Sequence, residues 1–577
     1  MKFEVWAPDA CEVALHVEGR DLPAERADGG WWTAEADASH GTRYGWRLDG
    51  ADPRPDPRSR WQPDGVHGLS AVDAEGFEWT DEAWRGFHLP GAVLYELHVG
   101  TFTPEGTFDG VIARLPHLVE LGVDAIELLP VAAFPGVQGW GYDGVFPHAV
   151  HDPYGGPAGL RRLVDAAHAA GIGVVMDVVH NHLGPDGNHL PAYGPYFSER
   201  HQTNWGAAVN LDGPGSDEVR RYLCDHLTSW QEAYHLDGFR LDAVHALVDD
   251  SAVHVLEQLA DEVAATAAHL GRPCWLIAES DRNDPRYVLP AAAGGLGLHA
   301  SWADEWHHAL HAVLTGETAG YYEDFGTLDQ LARGLRQAWV YAGDWSPHRQ
   351  RRHGRSPAGL PGHAFVVSVQ NHDQIGNRAT GDRIGATVPD GRLRIAAALL
   401  LTSPFTPMLF QGEEWAASSP FRYFTDHQDP ELGAAVTEGR THEFAHFGWD
   451  PADIPDPQDP ETFRSSVLRW DELVEPGHAE LLEWHRDLLA LRRRHRSLTD
   501  GRWEDQLVDH DPDVGWIRVR RRDVVVVAHL GEAPVSVPVP AGFEIELAHG
   551  ATRNQDVVLL DPDGVAVLVL AAGAERR

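Results

Sequence analysis

Lysine is almost missing from this chain: among 577 residues Lys2 is the one lysine, and every other strongly basic residue is arginine. The deficit reads as a biased coding background or a salty cytoplasm and is assigned no site. Basic residues are few in any case, 46 against 87 acidic ones, for a formal charge of −41. That balance disfavours nucleic acid and anionic membrane surfaces as partners and suits an uncharged substrate. Cysteine is scarce as well. Cys11, Cys224 and Cys274 are far apart, odd in number and without metal-ligand spacing, which argues against a disulfide framework or zinc module and for a reducing cytoplasm. No run of 18 apolar residues occurs, so no transmembrane helix is expected. The start, MKFEVWAPDACEVALHV, lacks the basic and continuous apolar segments of a secretory signal.

What is present begins with pattern. A length of 577 residues, at about 150 per domain, predicts two to four units. Over residues 1–90, short alternating bursts (FEVWAP, VALHV, WWTAEA, YGWRLDG) broken by Gly, Pro and Asp predict an N-terminal β-sandwich. Within it, ADPRPDPRSRWQPDGVHG (51–68) predicts an ordered connecting loop. From 91 to 498 the runs VLYELHV, AIELLPV, GVVMDVV, GFRLDAV, WLIAES, LGLHASW, FVVSVQN and PFTPMLF alternate with stretches of helical period such as 157–171, 216–235 and 252–271. Eight strands alternating with helices predict a central (β/α)8 TIM barrel. From 499 to 577 short strands return (GWIRVRRR, VVVVAHL, VSVPVP, VAVLVLA) and predict a C-terminal β-sandwich, with ERR as a frayed end.

In GFRLDAVHAL (238–247), Arg240 and Asp242 stand two apart in an apolar strand and so share a face, opposite Phe239, Leu241 and Ala243. A lone pair of this kind is most simply a structural ion pair, although burying one gains little stability over apolar residues. Asp242 ends the fourth strand, Glu279 the fifth, and Asp373 follows the seventh. In a TIM barrel those ends meet at one face, where the chemistry sits. Three carboxylates converging by accident would repel, and two carboxyls of different ionisation are what glycosidic cleavage requires. Arg240 would keep Asp242 charged, as a nucleophile. Glu279, closing an apolar strand, would be desolvated and kept protonated as an acid. Asp373 would stabilise the cationic sugar carbon and grip hydroxyls.

His98, His182, His245 and His372 lie near these carboxylates in sequence, and HNH (180–182) invites a metal reading. They come from different strand ends without a zinc-type helix motif, and nothing assembles six to eight oxygen ligands around Asn181, so hydrogen bonding to sugar hydroxyls is preferred and no metal or other cofactor is expected. Trp140, Tyr142, Trp302, Trp306, Tyr321 and Tyr322 are candidates to stack on pyranose faces, packing being as good a reading for each.

In chain order MDVVHNH, GFRLDAVH, LIAES and SVQNHDQIGN resemble the four signature blocks of the α-amylase superfamily of retaining glycosidases. The resemblance implies Asp242 as nucleophile, Glu279 as general acid/base and Asp373 as transition-state stabiliser, with Arg240 and His372 as accompanying residues and the two carboxyls of the displacement about 5 to 5.5 Å apart. VWAP, RWQPDGVHG, VLYELHVGTFTPEGTFDG, LLPVAAFPGVQGWGYDGV, DEWHHALHAVLTGETAGYY, TPMLFQGEEWAASSPFRYFTDH and FGWDPADIPDPQD further resemble the maltooligosyltrehalose trehalohydrolase family. That implies hydrolysis of the α-1,4 bond beside the trehalose end of a maltooligosyl trehalose supplied by a separate synthase. Its substrate-contacting stretches fall on Arg240, Leu241, Ala243, Val244 and His245, on Asp304, Glu305, Trp306, His307 and His308, and on Asn371, His372, Gln374, Ile375 and Gly376, with Trp140, Tyr142 and His182 added. The competing reading is a glycogen branching enzyme, which moves the glucan to another sugar. QNHDQIGNR and WGYDGV speak against it. A catalytically silent glycan-binding protein on the same fold would not need all three carboxylates.

Overall fold

The computed structural model describes residues 1–443 and 451–571, so FGWD (447–450) and the terminal ERR lie outside the described residues. Eight parallel strands close into a barrel in chain order. They are β1 (Leu94–Leu97), β2 (Ala125–Leu128), β3 (Gly173–Val178), β4 (Gly238–Leu241), β5 (Trp275–Ala278), β6 (Ala300–Trp302), β7 (Phe365–Ser368) and β8 (Thr406–Phe410). Each of the eight apolar runs supplies one strand. They are almost wholly buried, because one face fills the barrel and the other lies under the helices.

Alternate residues separate the two faces. Leu94, Ala125, Val175, Ile277, Ala300, Trp302, Val366 and Met408 form one apolar cluster, the lower barrel interior, closed by Phe87, Leu89 and Ala92 of the segment that enters β1. Tyr95, Ile126, Val174, Phe239, Leu276 and Val367 point outward into a continuous core with the surrounding helices. These include Phe108–Leu121, Gly156–Ala169, Ser216–Ala233, Val255–Leu270, Asp304–Thr315, Asp390–Leu401 and Pro476–Arg494. The expected alternation fails once. Between β5 and β6 the described chain makes only the short 3₁₀ turns Pro285–Tyr287 and Ala291–Ala293. Proline and glycine explain it: Pro285 and Pro290 withhold N–H donors, and a Cβ on Gly295 would lie 1.9 Å from the Leu289 carbonyl oxygen.

N-terminal to the barrel, Lys2–Trp6, Trp31–Glu35 and Glu25–Arg26 form one antiparallel sheet, and Arg20–Pro23, Val13–Val17, Arg43–Leu48 and Ser70–Ala71 a second. Val5, Trp32, Leu15 and Trp46 are buried in a common core, as two stacked sheets require. The exposed Lys2 pairs with Glu4 on the first strand. The proline-rich segment 51–68 is ordered by side chains that reach the barrel: Arg58 Nη1 lies 2.6 Å from Asp225, and Trp61 Nε1 donates to Asp152 at 2.6 Å.

Beyond the barrel, six strands build one sheet. The long hairpin Phe543–Asn554 with Val557–Leu570 carries bulges near Ile545 and His549. Val565–Val569 pairs with Val524–Ala528 and Val557–Leu560 with Val535–Pro538. Val525, Val537, Val558 and Leu568 nonetheless share one core, so the sheet folds over on itself, bulges bending the strand where it turns. Gln506–Asp511 and Phe543–Asn554 are strands the sequence pattern did not single out.

Candidate active site

Two residues above the apolar barrel layer the inner face becomes charged. Glu96 follows Leu94 on β1, Glu127 follows Ala125 on β2, Asp177 follows Val175 on β3, and Arg240 follows Gly238 on β4. Strand pairing sets Glu96 beside Glu127 and Asp177 beside Arg240. Continuing the same alternation past the strand ends gives Asp242, Glu279 and Asp304.

Arg240 is fully buried and organises this layer. Its Nη1 donates to Asp242 Oδ1 at 2.8 Å and to both oxygens of Asp177 at 3.0 and 2.8 Å. Its Nη2 lies 3.8 Å from Glu279 Oε2. The guanidinium sits 4.2 Å from the centroid of the Trp302 ring, so this tryptophan holds arginine instead of presenting a face to sugar. Burial pushes Asp177 up to about 6 while Arg240 opposes the shift.

Glu279 is pushed up to about 8, chiefly by burial and further by Asp242, Asp304 and Asp373, against Arg240. It is therefore a carboxylic acid at neutral pH. Ala243 turns the chain immediately after Asp242 with φ 39°, a left-handed conformation that costs a non-glycine residue energy. That turn aims its N–H at Glu279 Oε2, 2.6 Å away. Since Oε2 accepts this bond and faces Arg240, the proton belongs on Oε1. Asp304, pushed to about 7 by burial and by Asp373, stands within reach of Gln374.

Asp373 opens the helix His372–Gly376, which Asn371 caps by accepting the N–H groups of Asp373 and Gln374 at 3.0 and 3.2 Å while Gln374 returns a bond to the Asn371 N–H. A Cβ on Gly376 would lie 2.0 Å from the Trp140 ring, so glycine is required for that ring to reach the cleft. His372 Nδ1 donates to Glu96 Oε1 at 2.5 Å, and its backbone N–H to Glu96 Oε2 at 3.0 Å. His372 Nε2 lies 2.8 Å from the Tyr142 hydroxyl and 3.5 Å from Asp373 Oδ1. The Tyr142 hydroxyl in turn donates to Asp177 Oδ2 at 2.5 Å. Burial alone would lower the imidazole; Asp373 and Glu96 outweigh it and raise His372 to about 9.

Above these groups opens a cleft of about 440 Å³, with Asp242, Glu279 and Asp373 in its floor and Trp140, Tyr142, His182 and His245 in its walls. Sequence reasoning missed Trp205, at the tip of the hairpin formed by Phe197–Thr203 and Gly206–Val209. It is 48% exposed and stacks on His182 with 8° between the rings. It also missed Tyr423 and Arg440, which line the same cleft. Arg440 Nη1 donates to Asn377 Oδ1 at 3.0 Å.

Other sequence candidates are placed elsewhere. Leu241, Val244 and Trp306 pack in the outer core, and Ile375 in a smaller apolar cluster. Glu305 accepts the N–H groups of Val340 and Tyr341 at 2.8 and 2.7 Å, anchoring a loop. His307 bonds the Val369 carbonyl and the Tyr322 hydroxyl, which leaves Tyr322 buried as well. His308 and Tyr321 face one another, and neither lines the cleft. His98 is buried between the Gly139 carbonyl and Thr101. The histidines of HNH part company: His180 pairs with His226, while His182 bonds Asn181 and the Tyr142 carbonyl. Among the described residues, His201, Asp212 and Asp250 lie close enough to share a cation, but Arg200 extends between the two carboxylates, 3.9 and 3.6 Å away.

The α-amylase catalytic-domain family matches residues 64–193, and a domain family of unknown function matches 501–567. The barrel and the acidic constellation at its carboxyl end define an α-amylase-type glycoside hydrolase. Malto-oligosyltrehalose trehalohydrolases from Arthrobacter ramosus and Rhizobium sp. are 52% and 50% identical over 99% and 98% of this chain, covering 99% and 97% of their own. A solved Salmonella typhimurium structure, provisionally described as an α-amylase, superposes with a TM-score of 0.91 at 38% identity over 98% of this chain and 97% of that one. A 1,4-α-glucan branching enzyme from Bacillus caldolyticus is 33% identical over 73% of this chain and 65% of its own. The chain belongs to the malto-oligosyltrehalose trehalohydrolase family.

Proposed function

We propose that the protein hydrolyses the α-1,4 bond adjacent to the trehalose end of a maltooligosyl trehalose, releasing trehalose and a maltooligosaccharide with retention of configuration. The observation that carries this reading is Glu279 held as a neutral acid beside Asp242, both tied to one guanidinium, in a chain 52% identical throughout to an enzyme of that name. Glu279 Oε1 gives its proton to the glycosidic oxygen as that C–O bond breaks. Asp242 Oδ2, the oxygen that Arg240 does not hold, attacks the anomeric carbon and forms a covalent glycosyl-enzyme. Trehalose leaves. Water then adds to the same carbon, Glu279 takes back a proton, and Asp242 is released. Asp373, on the cleft floor, binds hydroxyls of the sugar at the cleaved bond and stabilises the positive charge that develops there.

The substrate is uncharged, in keeping with a chain of net charge −41. An enzyme that converts the reducing end of a maltooligosaccharide into a trehalose end must supply it, and a shared cytoplasmic setting fits both. The test is product analysis after incubation with maltotriosyl trehalose and, separately, with long amylose. Rapid release of trehalose from the first, with little change in the second, supports the reading. Branched glucan from amylose, without new reducing ends and with no trehalose from the first substrate, replaces it with a branching enzyme.

A further inference from the structure

Glu96 takes no part in the bond making and breaking proposed above. Glu96 is 1% exposed, is not among the residues that line the cleft, and spends both carboxylate oxygens on His372. A single side chain that takes both the ring N–H and the backbone N–H of one residue fixes that residue's position and ring rotation together. The remaining ring nitrogen must then carry a proton, because the Tyr142 hydroxyl beside it has already committed its own hydrogen to Asp177. A chain of donors therefore runs from His372 through Tyr142 to Asp177, and Arg240 joins Asp177 to Asp242.

We propose that Glu96 is a positioning residue that maintains His372 as an imidazolium, so that a fixed positive charge with its Nε2–H stands between Tyr142 and Asp373 under the site of glycosyl transfer. The inference rests on the reaction proposed above. The titratable groups around His372 come from every side of the barrel mouth: Glu96 on β1, Glu127 on β2, Asp177 on β3, Arg240 on β4, Asp304 beyond β6, and Asp373 on its own helix. His98, after β1, is lowered to about 4 by burial and adds no second positive charge beside His372. Burial and its two carboxylate neighbours raise Glu127 well above the usual carboxylate range, and neither of its oxygens has a hydrogen-bond partner. Among the described residues, Glu96 is the carboxylate bonded to the ring's Nδ1. His372 in turn holds its protonated Nε2 3.5 Å from Asp373 Oδ1, beside the carboxylate that faces the sugar.

Glu96→Gln isolates the charge. The amide oxygen can keep the backbone N–H bond, and its NH₂ can donate to an unprotonated Nδ1, which leaves the proton on Nε2 and the geometry intact while the imidazolium becomes neutral. The experiment is the pH dependence of kcat/KM for maltotriosyl trehalose from pH 5 to 10, in the full-length chain and in Glu96→Gln, Glu96→Asp, His372→Gln and the Glu96→Gln/His372→Gln double variant. Glu279, at about 8, sets the alkaline limb in the unaltered chain and His372, at about 9, titrates beyond it; Glu96→Gln should bring His372 below Glu279 and so move the limb down by about one pH unit or more. Glu96→Asp keeps the charge, so its limb should stay where the unaltered chain has it even if the rate falls. In the His372→Gln background, Glu96→Gln should move nothing further. An equal loss at every pH, a limb shifted in Glu96→Asp as well, or the same shift in the His372→Gln background overturns the assignment. If the unaltered chain releases no trehalose at any pH, the proposed reaction itself fails; activity without the shift removes only the role of Glu96.

Discussion

The barrel interior has two storeys, two residues apart on the same strands, with opposite physical characters. Leu94, Ala125, Val175 and Ile277 fill the lower one with close-packed hydrocarbon. Glu96, Glu127, Asp177 and Glu279 occupy the upper one, where burial penalises charge and one arginine and one histidine offset it. Identical backbone thus supports stability at one level and forgoes it at the next, because the reaction needs desolvated carboxyls at fixed positions.

The largest effect expected from this contrast is on turnover at the upper storey. Asp242→Asn and Glu279→Gln should each lower kcat on maltotriosyl trehalose by on the order of 10³-fold or more while glucan binding, read by calorimetry, persists. Retained turnover in either variant would undo the assignment of roles. Next comes the lower storey: Ile277→Ala should cost about 2–5 kcal/mol of stability in denaturant titration, with kcat near that of the unaltered chain at temperatures where both are folded. A variant stable as before but slow would erase the division between the storeys.

Glu279→Gln should also change the pH dependence of stability. The folded carboxyl titrates at about 8 and the unfolded one near 4.5, so the native state keeps a proton that the unfolded state releases. The proton-linked stability is complete below about pH 4.5 and is lost as pH rises through 8. The thermal midpoint of the variant should therefore gain on that of the unaltered chain between pH 5 and 8 and hold its lead above; a difference independent of pH would show that Glu279 is not desolvated. The smallest effect belongs to the cleft rim. Trp205→Ala should raise KM about 3- to 10-fold with kcat within about twofold, since it removes an exposed ring from the cleft wall and none of the three catalytic carboxylates.

The eight strands were legible because each is an apolar run bounded by turn residues, and Asp242, Glu279 and Asp373 because each ends or follows one. Glu96 and Asp177 were not assigned roles, since a single acid inside an apolar run carries no sign of which face it occupies. The carry-over of contiguous stretches named too much. Leu241 follows Arg240, and Glu305, Trp306 and His307 follow Asp304, but strand alternation and helical rotation turn them into the core or onto backbone amides. Trp205 gave no periodic signal at all, being one ring on a polar hairpin tip whose neighbour His182 lies more than twenty residues away. The absent helix between β5 and β6 was legible in Pro285, Pro290 and Gly295, which the expectation of regular alternation overrode.

The solitary lysine has a practical consequence. Its ammonium stands on the first strand of the N-terminal sheet, 58% exposed beside Glu4, and the catalytic cleft contains no primary amine. Succinimidyl esters, aldehyde-activated beads and other amine-reactive reagents therefore have one lysine side chain to couple to, Lys2. Surface attachment should yield a uniformly oriented, tethered catalyst whose cleft chemistry is untouched by the coupling reagent.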